Sequence, residues 1–213
     1  MTRVLIVDDQ QLVRAGVRML VESTDDLTVA GEAADGARAV ELSPRLRPDV
    51  VLMDLHMPGM DGIEATALLL SRLPSARVVV LTTFDDDDRL YPALAAGACG
   101  FLAKDVEPGA VLDAVRRAAA GESPYSPAVL RRVVARAAED WAGAERRGVP
   151  VHVTEREGEV LRHLADGLSN AEIAGRMHLG VTTVKTHVSN LMTKTGSPNR
   201  VRLAVLAIQR GLA

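Results

Sequence analysis

Five side chains suited to phosphoryl chemistry stand at or just past the ends of apolar, strand-like runs. They are Asp8, Asp9, Asp54, Thr82 and Lys104, which follow the runs 4–7, 50–53, 78–81 and 99–102. If these runs form one parallel sheet, all five side chains meet at its carboxyl edge, where open α/β sheets bind ligands. An acidic cluster with a lysine at that edge predicts a site for a divalent cation and a phosphoryl group.

Each residue type has a distinct use in transferring a phosphoryl group to a carboxylate. Asp8 and Asp9 can hold Mg²⁺, which prefers about six oxygen ligands. Asp54 can give the ion a further oxygen and attack phosphorus with its other oxygen. Lys104 supplies a compact positive charge, and Thr82 offers a hydroxyl to a phosphoryl oxygen. The alternative, a set of ordinary loop carboxylates, fits any one of them alone, but their coincidence at successive strand ends favours a site.

The elements that would position these residues alternate along the first 121 residues. Alternating short strands and helical segments indicate parallel βα units, and therefore a doubly wound five-stranded parallel sheet of the α/β class. Beyond that point no strand pattern occurs, and residues 154–213 predict a small all-α domain of four short helices. The predicted strands are 3–7, 28–32, 49–53, 77–81 and 99–102, and the predicted helices are 11–23, 36–46, 61–72, 90–96 and 107–120.

Pro92 sets an expectation for the fourth helix. Proline in a helix interior costs about 3 kcal/mol, whereas the first turn tolerates it. We therefore expect this helix to start near Leu90 or Tyr91, leaving the acidic run Asp85–Asp88 in a loop.

Composition narrows the class of protein. The chain has 213 residues, 47% of them hydrophobic, and no apolar stretch near the roughly 20 residues of a membrane helix. A single cysteine, Cys99, fits a reducing compartment, so we expect a cytoplasmic protein with no membrane partner. The net charge of −3 divides into an acidic front half and a basic back half, with no acid after Glu172. The basic end is suited to binding phosphates.

Residues 122–150 connect the two parts. Prolines at 124 and 127 break the preceding helix, and residues 128–146 predict an amphipathic helix. We interpret 122–150 as a partly helical linker that packs on a domain or on a second copy of the chain.

The C-terminal part has the pattern of a helix-turn-helix. Two capping boxes begin at Thr154 and Ser169, and the next helix, expected to start at Thr182 or Thr183, carries buried-type residues at helical spacing. Its other side is polar and basic, as in a helix that enters the major groove. A small helical bundle that binds protein is the alternative. The inward residues are Val184, Val188 and Leu191; the outward ones include Lys185, Thr186, Ser189 and Asn190.

The first 121 residues resemble the receiver domain of two-component response regulators, a flavodoxin-like fold. The matching stretches are 4–9, 54–62, 81–83 and 96–104. The resemblance implies that Asp54 accepts a phosphoryl group from a sensor histidine kinase. It implies that Asp8, Asp9 and Asp54 bind Mg²⁺ together with the backbone carbonyl of His56. It also implies that Thr82 and Phe101 move together to relay the change.

The C-terminal residues resemble the LuxR/NarL-type DNA-binding domain, through the stretches 154–157, 167–174 and 183–190. The resemblance implies that the helix over 183–194 reads double-stranded DNA and that the final helix contributes to dimerisation. The implied contacts are Lys185, Thr186, Ser189 and Asn190, with Lys194 and Arg200 as candidates for phosphate alone.

The sequence therefore predicts a transcriptional regulator that is not an enzyme. We expect a receiver at 1–121, a linker at 122–150 and a DNA-binding domain at 151–213. Phosphorylation of Asp54 is expected to produce a homodimer that binds promoter DNA. The alternatives are a DNA-binding regulator that ignores phosphate, a receiver-controlled protein-interaction module, and an enzyme switched by a receiver.

Overall fold

The computed structural model describes residues 1–82, 87–124, 153–166, 168–197 and 199–209. The chain divides after Pro124 into two compact units. The helix predicted over 128–146, like most of the predicted linker, lies outside the described residues. None of the helices in the described part of the chain combines the length and apolar content needed to cross a lipid bilayer.

The first unit is built on a five-stranded sheet in which every neighbouring pair is parallel. The strand order is β2-β1-β3-β4-β5, so the chain reverses direction across the sheet after β2. This arrangement confirms the predicted fold class. The strands are β1 (Thr2–Val7), β2 (Leu27–Ala33), β3 (Val50–Asp54), β4 (Arg77–Thr82) and β5 (Gly100–Ala103).

Five helices cover the two faces of this sheet, and the period of two in the strands divides the core between them. In β1, Val4 and Ile6 pack on the side of α1 and α5, whereas Leu5 and Val7 pack on the side of α2 and α3. All four side chains are essentially inaccessible to solvent, which is why the run is continuously apolar. The helices are α1 (Gln11–Glu22), α2 (Gly36–Leu46), α3 (Gly62–Arg72), α4 (Asp87–Ala95) and α5 (Pro108–Ala119).

The predicted start of α4 is wrong. The helix begins at Asp87, so Pro92 is its sixth residue and lies in the interior. A proline there removes the hydrogen bond to the carbonyl four residues earlier, which lies in the first turn. The burial of Leu90, Ala93 and Leu94 against the domain holds the helix despite that loss.

Within its described residues, the second unit contains helices and no strand. Its helices are α6 (Glu155–Ala165), α7 (Asn170–Met177), α8 (Val181–Thr195) and α9 (Arg200–Gln209). Both predicted capping boxes are present, at Thr154 with Glu157 and at Ser169 with Glu172. Helix α8 starts at Val181, before the predicted Thr182 or Thr183.

Candidate functional site

The carboxyl edge of the sheet brings together the acidic residues and the lysine. Asp8 follows β1, Asp54 is the last residue of β3, and Lys104 follows β5. The Nζ atom of Lys104 lies 2.8 Å from Oδ2 of Asp8 and 3.0 Å from Oδ2 of Asp54. The lysine therefore bridges two carboxylates that belong to different strands.

Burial raises the free-energy cost of holding charges in this cluster. Asp8 is 0% exposed and Asp54 1%, and the Lys104 side chain retains 17% of its exposure. Burial raises the pKa of Asp54, although the hydrogen bond and charge of Lys104 act to lower it. For Lys104, burial acts to lower the pKa, but the hydrogen bonds to Asp8 and Asp54 outweigh it and raise the pKa. The ammonium is therefore held in its charged form beside a carboxylate that is costly to ionise.

The same cluster has the donor set of a Mg²⁺ site. Asp8, Asp9 and Asp54 can each place one carboxylate oxygen so that all three lie within 4.8 Å of one another. Besides the ammonium of Lys104, no donor among the described residues reaches the buried Oδ2 atoms of Asp8 and Asp54. A hard divalent cation prefers such oxygens. The residues present therefore fit the ion that the sequence predicted.

Asp9 and His56 lie at the rim of this pocket. Both side chains are exposed to solvent. The backbone of His56 forms a hydrogen bond with the Asp54 carboxylate. This contact fixes the start of the loop after β3 against the Asp54 side chain.

The proposed relay pair is placed only in part. Thr82 ends β4 and its backbone is in register with Ala103 of β5, next to Lys104, but its side chain lies outside the described residues. Phe101 is in β5, is partly buried, and donates its backbone N–H to the carbonyl of Pro124 at 2.9 Å. Thr82 and Phe101 are thus on adjacent strands, and their roles stay predictions.

Gly62 also belongs to this site, and the sequence did not show why a glycine is required there. It is the first residue of α3, directly behind the end of β3. A Cβ atom built on it would lie 2.0 Å from the backbone carbonyl oxygen of Asp54. Only glycine lets α3 approach β3 this closely. Its position immediately after the helix-capping Asp61 was the available signal, because a helix former would otherwise be favoured there.

In the helical unit, α7 and α8 form a helix-turn-helix pair. Val184, Val188 and Leu191 are buried, which confirms the predicted inward face of α8. The opposite side of α8 carries the predicted DNA contacts. Thr186, Ser189 and Asn190 are exposed, and Lys185 is partly exposed.

Lys194 and Arg200 do not share the surroundings of that face. Lys194 lies 2.8 Å from a carboxylate oxygen of Glu157, so the two charges already form an ion pair. Arg200 is only 8% exposed, and its guanidinium donates to the carbonyl of Leu168 and the side chain of Asn170. Arg200 is therefore largely buried and bonded inside the helical unit, and its role as a phosphate contact stays a prediction.

Comparison with known proteins accounts for both units. Residues 4–116 match the family model of the response regulator receiver domain, and residues 152–207 match that of the bacterial regulatory proteins of the luxR family. The chain is 40% identical over 208 residues to the transcriptional regulatory protein LiaR of Bacillus subtilis, covering 97% of each chain.

Solved structures give the same picture. The response regulator ChrA of a heme-sensing two-component system is 35% identical, with a TM-score of 0.53 and coverage of 99% of this chain and 98% of ChrA. A structure of two RcsB dimers bound to two parallel DNAs is 26% identical, with a TM-score of 0.56 and coverage of 95% and 96%. The similarity therefore extends over nearly the whole chain and not over one unit alone.

Proposed function

The chain belongs to the LuxR-type response regulators, and we propose that it is switched by transfer of a phosphoryl group to Asp54. Members of this family are transcription factors and not enzymes, and phosphorylation-dependent regulation is their norm. What is proposed for this chain is the acceptor, the residues around it and the surface that reads DNA.

The observation that carries the proposal is the bridge that Lys104 makes between Asp8 and Asp54. The buried Asp54 carboxylate must attack a phosphoryl group whose oxygens are themselves negative. Lys104 lies at 3.0 Å from Asp54, where its charge can offset that repulsion. The site is thus preorganised for charge that develops during transfer, which is the main demand of phosphoryl chemistry.

The transfer step can be written on this geometry. One oxygen of Asp54 forms a bond to phosphorus while the P–N bond of a phosphohistidine breaks, and its electron pair returns to the imidazole nitrogen. Asp8, Asp9, Asp54 and the backbone carbonyl of His56 would hold Mg²⁺, which would supply additional positive charge to the phosphoryl oxygens. Thr82 and Phe101 are proposed to relay the phosphorylated state to the α4 side of the domain.

The phosphodonor partner is proposed to be a sensor histidine kinase that docks along α1. This helix starts two residues after Asp9 and exposes Leu12 by 86% and Met19 by 73%. The two are seven residues apart, so they lie on one face. Leu12→Glu should slow transfer from the kinase while leaving phosphorylation by acetyl phosphate unchanged. Equal loss with both donors would refute docking at this face.

The proposed DNA-reading surface is the exposed side of α8. Lys185, Thr186, Ser189 and Asn190 lie there, and Lys194 would have to exchange Glu157 for a phosphate. We propose that the phosphorylated chain binds paired half-sites as a homodimer. The RcsB structure, in which dimers are bound to DNA, supports this arrangement by analogy.

We propose a receiver domain at 1–121, a linker at 122–150 and a DNA-binding domain at 151–213. We also propose that the protein acts in the cytoplasm.

The acceptor assignment has a direct test. The intact protein is treated with acetyl phosphate and Mg²⁺, and its mass is compared with that of Asp54→Asn under the same conditions. We expect a stoichiometric phosphoryl adduct on the wild-type protein and none on the variant. A full adduct on Asp54→Asn would show that Asp54 is not the acceptor.

A further inference from the structure

Arg14 on α1 forms hydrogen bonds to the turn that carries Asp8 and Asp9. Nη1 of Arg14 donates to the carbonyl of Asp8 at 2.7 Å and to that of Asp9 at 3.1 Å. Its Nε donates to the carboxylate of Glu32 on β2 at 3.3 Å. The side chain of Arg14 is only 15% exposed, so this geometry is held by its surroundings.

The turn between β1 and α1 needs such a support. Helix α1 begins after Gln10 without a side-chain cap, and Asp9 is exposed. Two further hydrogen bonds hold the turn. The N–H of Asp8 donates to the carbonyl of Ala33, and the N–H of Gln10 donates to Oδ1 of Asp8. Arg14 adds a connection from the turn to both α1 and β2.

We propose that Arg14 is a positioning residue that presets the backbone of Asp8 and Asp9 for cation binding. This inference rests on the proposed function, because it concerns the Mg²⁺ site formed by Asp8, Asp9 and Asp54. Partners that orient metal ligands without touching the metal commonly set its affinity. Arg14 would do so through two backbone carbonyls. A sequence motif defined by the ligand side chains does not reveal such contacts.

The sign of the effect separates positioning from charge. Arg14 is a cation near a cation site, so as a point charge alone it would weaken Mg²⁺ binding, and its removal would strengthen it. If Arg14 acts by holding the turn, its removal weakens Mg²⁺ binding instead.

Arg18 provides a matched control one turn further along α1. It also pairs with Glu32, and it bonds Glu22. Within the described residues it makes no hydrogen bond to the turn. Removing Arg18 therefore changes the same net charge and the same carboxylate partner while leaving the carbonyls of Asp8 and Asp9 in place.

The test is a calorimetric titration of the full-length protein with Mg²⁺ alone, at fixed ionic strength. Arg14→Ala should weaken Mg²⁺ binding about tenfold, the lower end of the usual effect of such partners. Arg14→Lys should recover part of the affinity, because it keeps the charge and can reach one carbonyl. Arg18→Ala should bind Mg²⁺ as tightly as the wild-type protein or slightly more tightly.

A kinetic readout excludes a merely structural loss. With acetyl phosphate as donor, the Mg²⁺ concentration that gives half the maximal rate should rise about tenfold in Arg14→Ala, in step with the loss of affinity. The rate at saturating Mg²⁺ should stay close to that of the wild-type protein. If Arg14→Ala fails to fold, Arg14→Lys against Arg18→Lys carries the same comparison.

Unchanged or tighter Mg²⁺ binding by Arg14→Ala would overturn the inference, as would equal weakening in the Arg14 and Arg18 variants. Absence of Mg²⁺ binding by the wild-type protein is a different outcome. It would overturn the proposed function, and this inference with it.

Discussion

Lys104→Met offers the sharpest test of the electrostatics of the pocket. The substitution removes the charge while keeping an unbranched apolar stem, and it leaves the buried Asp8 and Asp54 without their shared cation. At 2.8 and 3.0 Å, each attraction is about 6 kcal/mol at an effective dielectric constant near 20, before the cost of desolvation is subtracted. Removing one partner of a buried ion pair costs about 3–5 kcal/mol net. Because 17% of the Lys104 side chain is exposed, we expect about 3 kcal/mol.

The pH dependence of this loss follows from the pKa of Asp54. Burial already raises that pKa, and Lys104 opposes the rise, so the variant should raise it further. A carboxyl whose pKa is higher in the folded state favours folding while protonated and loses that contribution as the pH rises through the folded pKa. The deficit of Lys104→Met should therefore be largest near neutral pH. It should shrink as the pH falls through the raised pKa of Asp54 toward the value of the unfolded chain.

The assay is urea unfolding followed by circular dichroism, with EDTA present so that no cation substitutes for the lysine. Arg116→Ala is a matched control, since Arg116 pairs with Asp26 at 2.7 Å but both side chains are about half exposed. Solvent screening should leave its unfolding free energy almost unchanged. A Lys104→Met loss below about 1 kcal/mol, or one that is the same at every pH, would refute the reasoning.

Further predictions concern the approach of α3 to β3 and the DNA surface. Gly62→Ala should lower stability by more than about 2 kcal/mol and slow phosphorylation by acetyl phosphate, because the Asp54 backbone must move; normal unfolding and normal rates would contradict this. Lys185→Ala should weaken DNA binding in a mobility-shift titration and reduce its salt dependence by about one counterion, with unchanged stability. Arg200→Ala should instead lower the free energy of unfolding of the helical unit by about 2–4 kcal/mol. The reason is that the substitution leaves buried acceptors without their donor. Lower stability of Lys185→Ala, or weaker DNA binding by Arg200→Ala without any loss of stability, would contradict these two predictions.

The sheet was predictable because its central strands, β1 and β3, are buried on both faces. Runs such as 50–53 are continuously apolar for that reason, and their polar neighbours then mark the carboxyl edge without ambiguity. Asp8, Asp54 and Lys104 could therefore be brought together from their order along the chain. The distances between them, and the resulting pKa directions, depend on the register of the strands and needed the structure.

Errors arose where a local rule met tertiary packing. Pro92 marks the first turn of a helix in isolation, yet the buried residues of α4 extend that helix one turn earlier. The burial of Arg200 was not predictable either, because its partners, Leu168 and Asn170, lie about 30 residues away along the chain. The early start of α8 at Val181 follows from Gly180, which caps the helix without any side-chain signal.

Backbone partners form a second class of unpredicted feature. Arg14 acts on carbonyl oxygens, and Gly62 matters through an atom it lacks. Neither relation appears as a pattern of side-chain types, so sequence spacing could not assign a role to either residue. Both become apparent once the turn after β1 and the start of α3 are placed beside the acidic cluster.

Phosphorylation of Asp54 is proposed to drive assembly of the DNA-binding form. The most direct measurement is sedimentation of the full-length protein with Mg²⁺ and beryllofluoride, a mimic of the aspartyl phosphate, beside Asp54→Ala. We expect the wild-type protein to form a dimer only when beryllofluoride is present, and the variant to stay monomeric. A wild-type protein that remains monomeric, or equal dimerisation of both proteins, would contradict it.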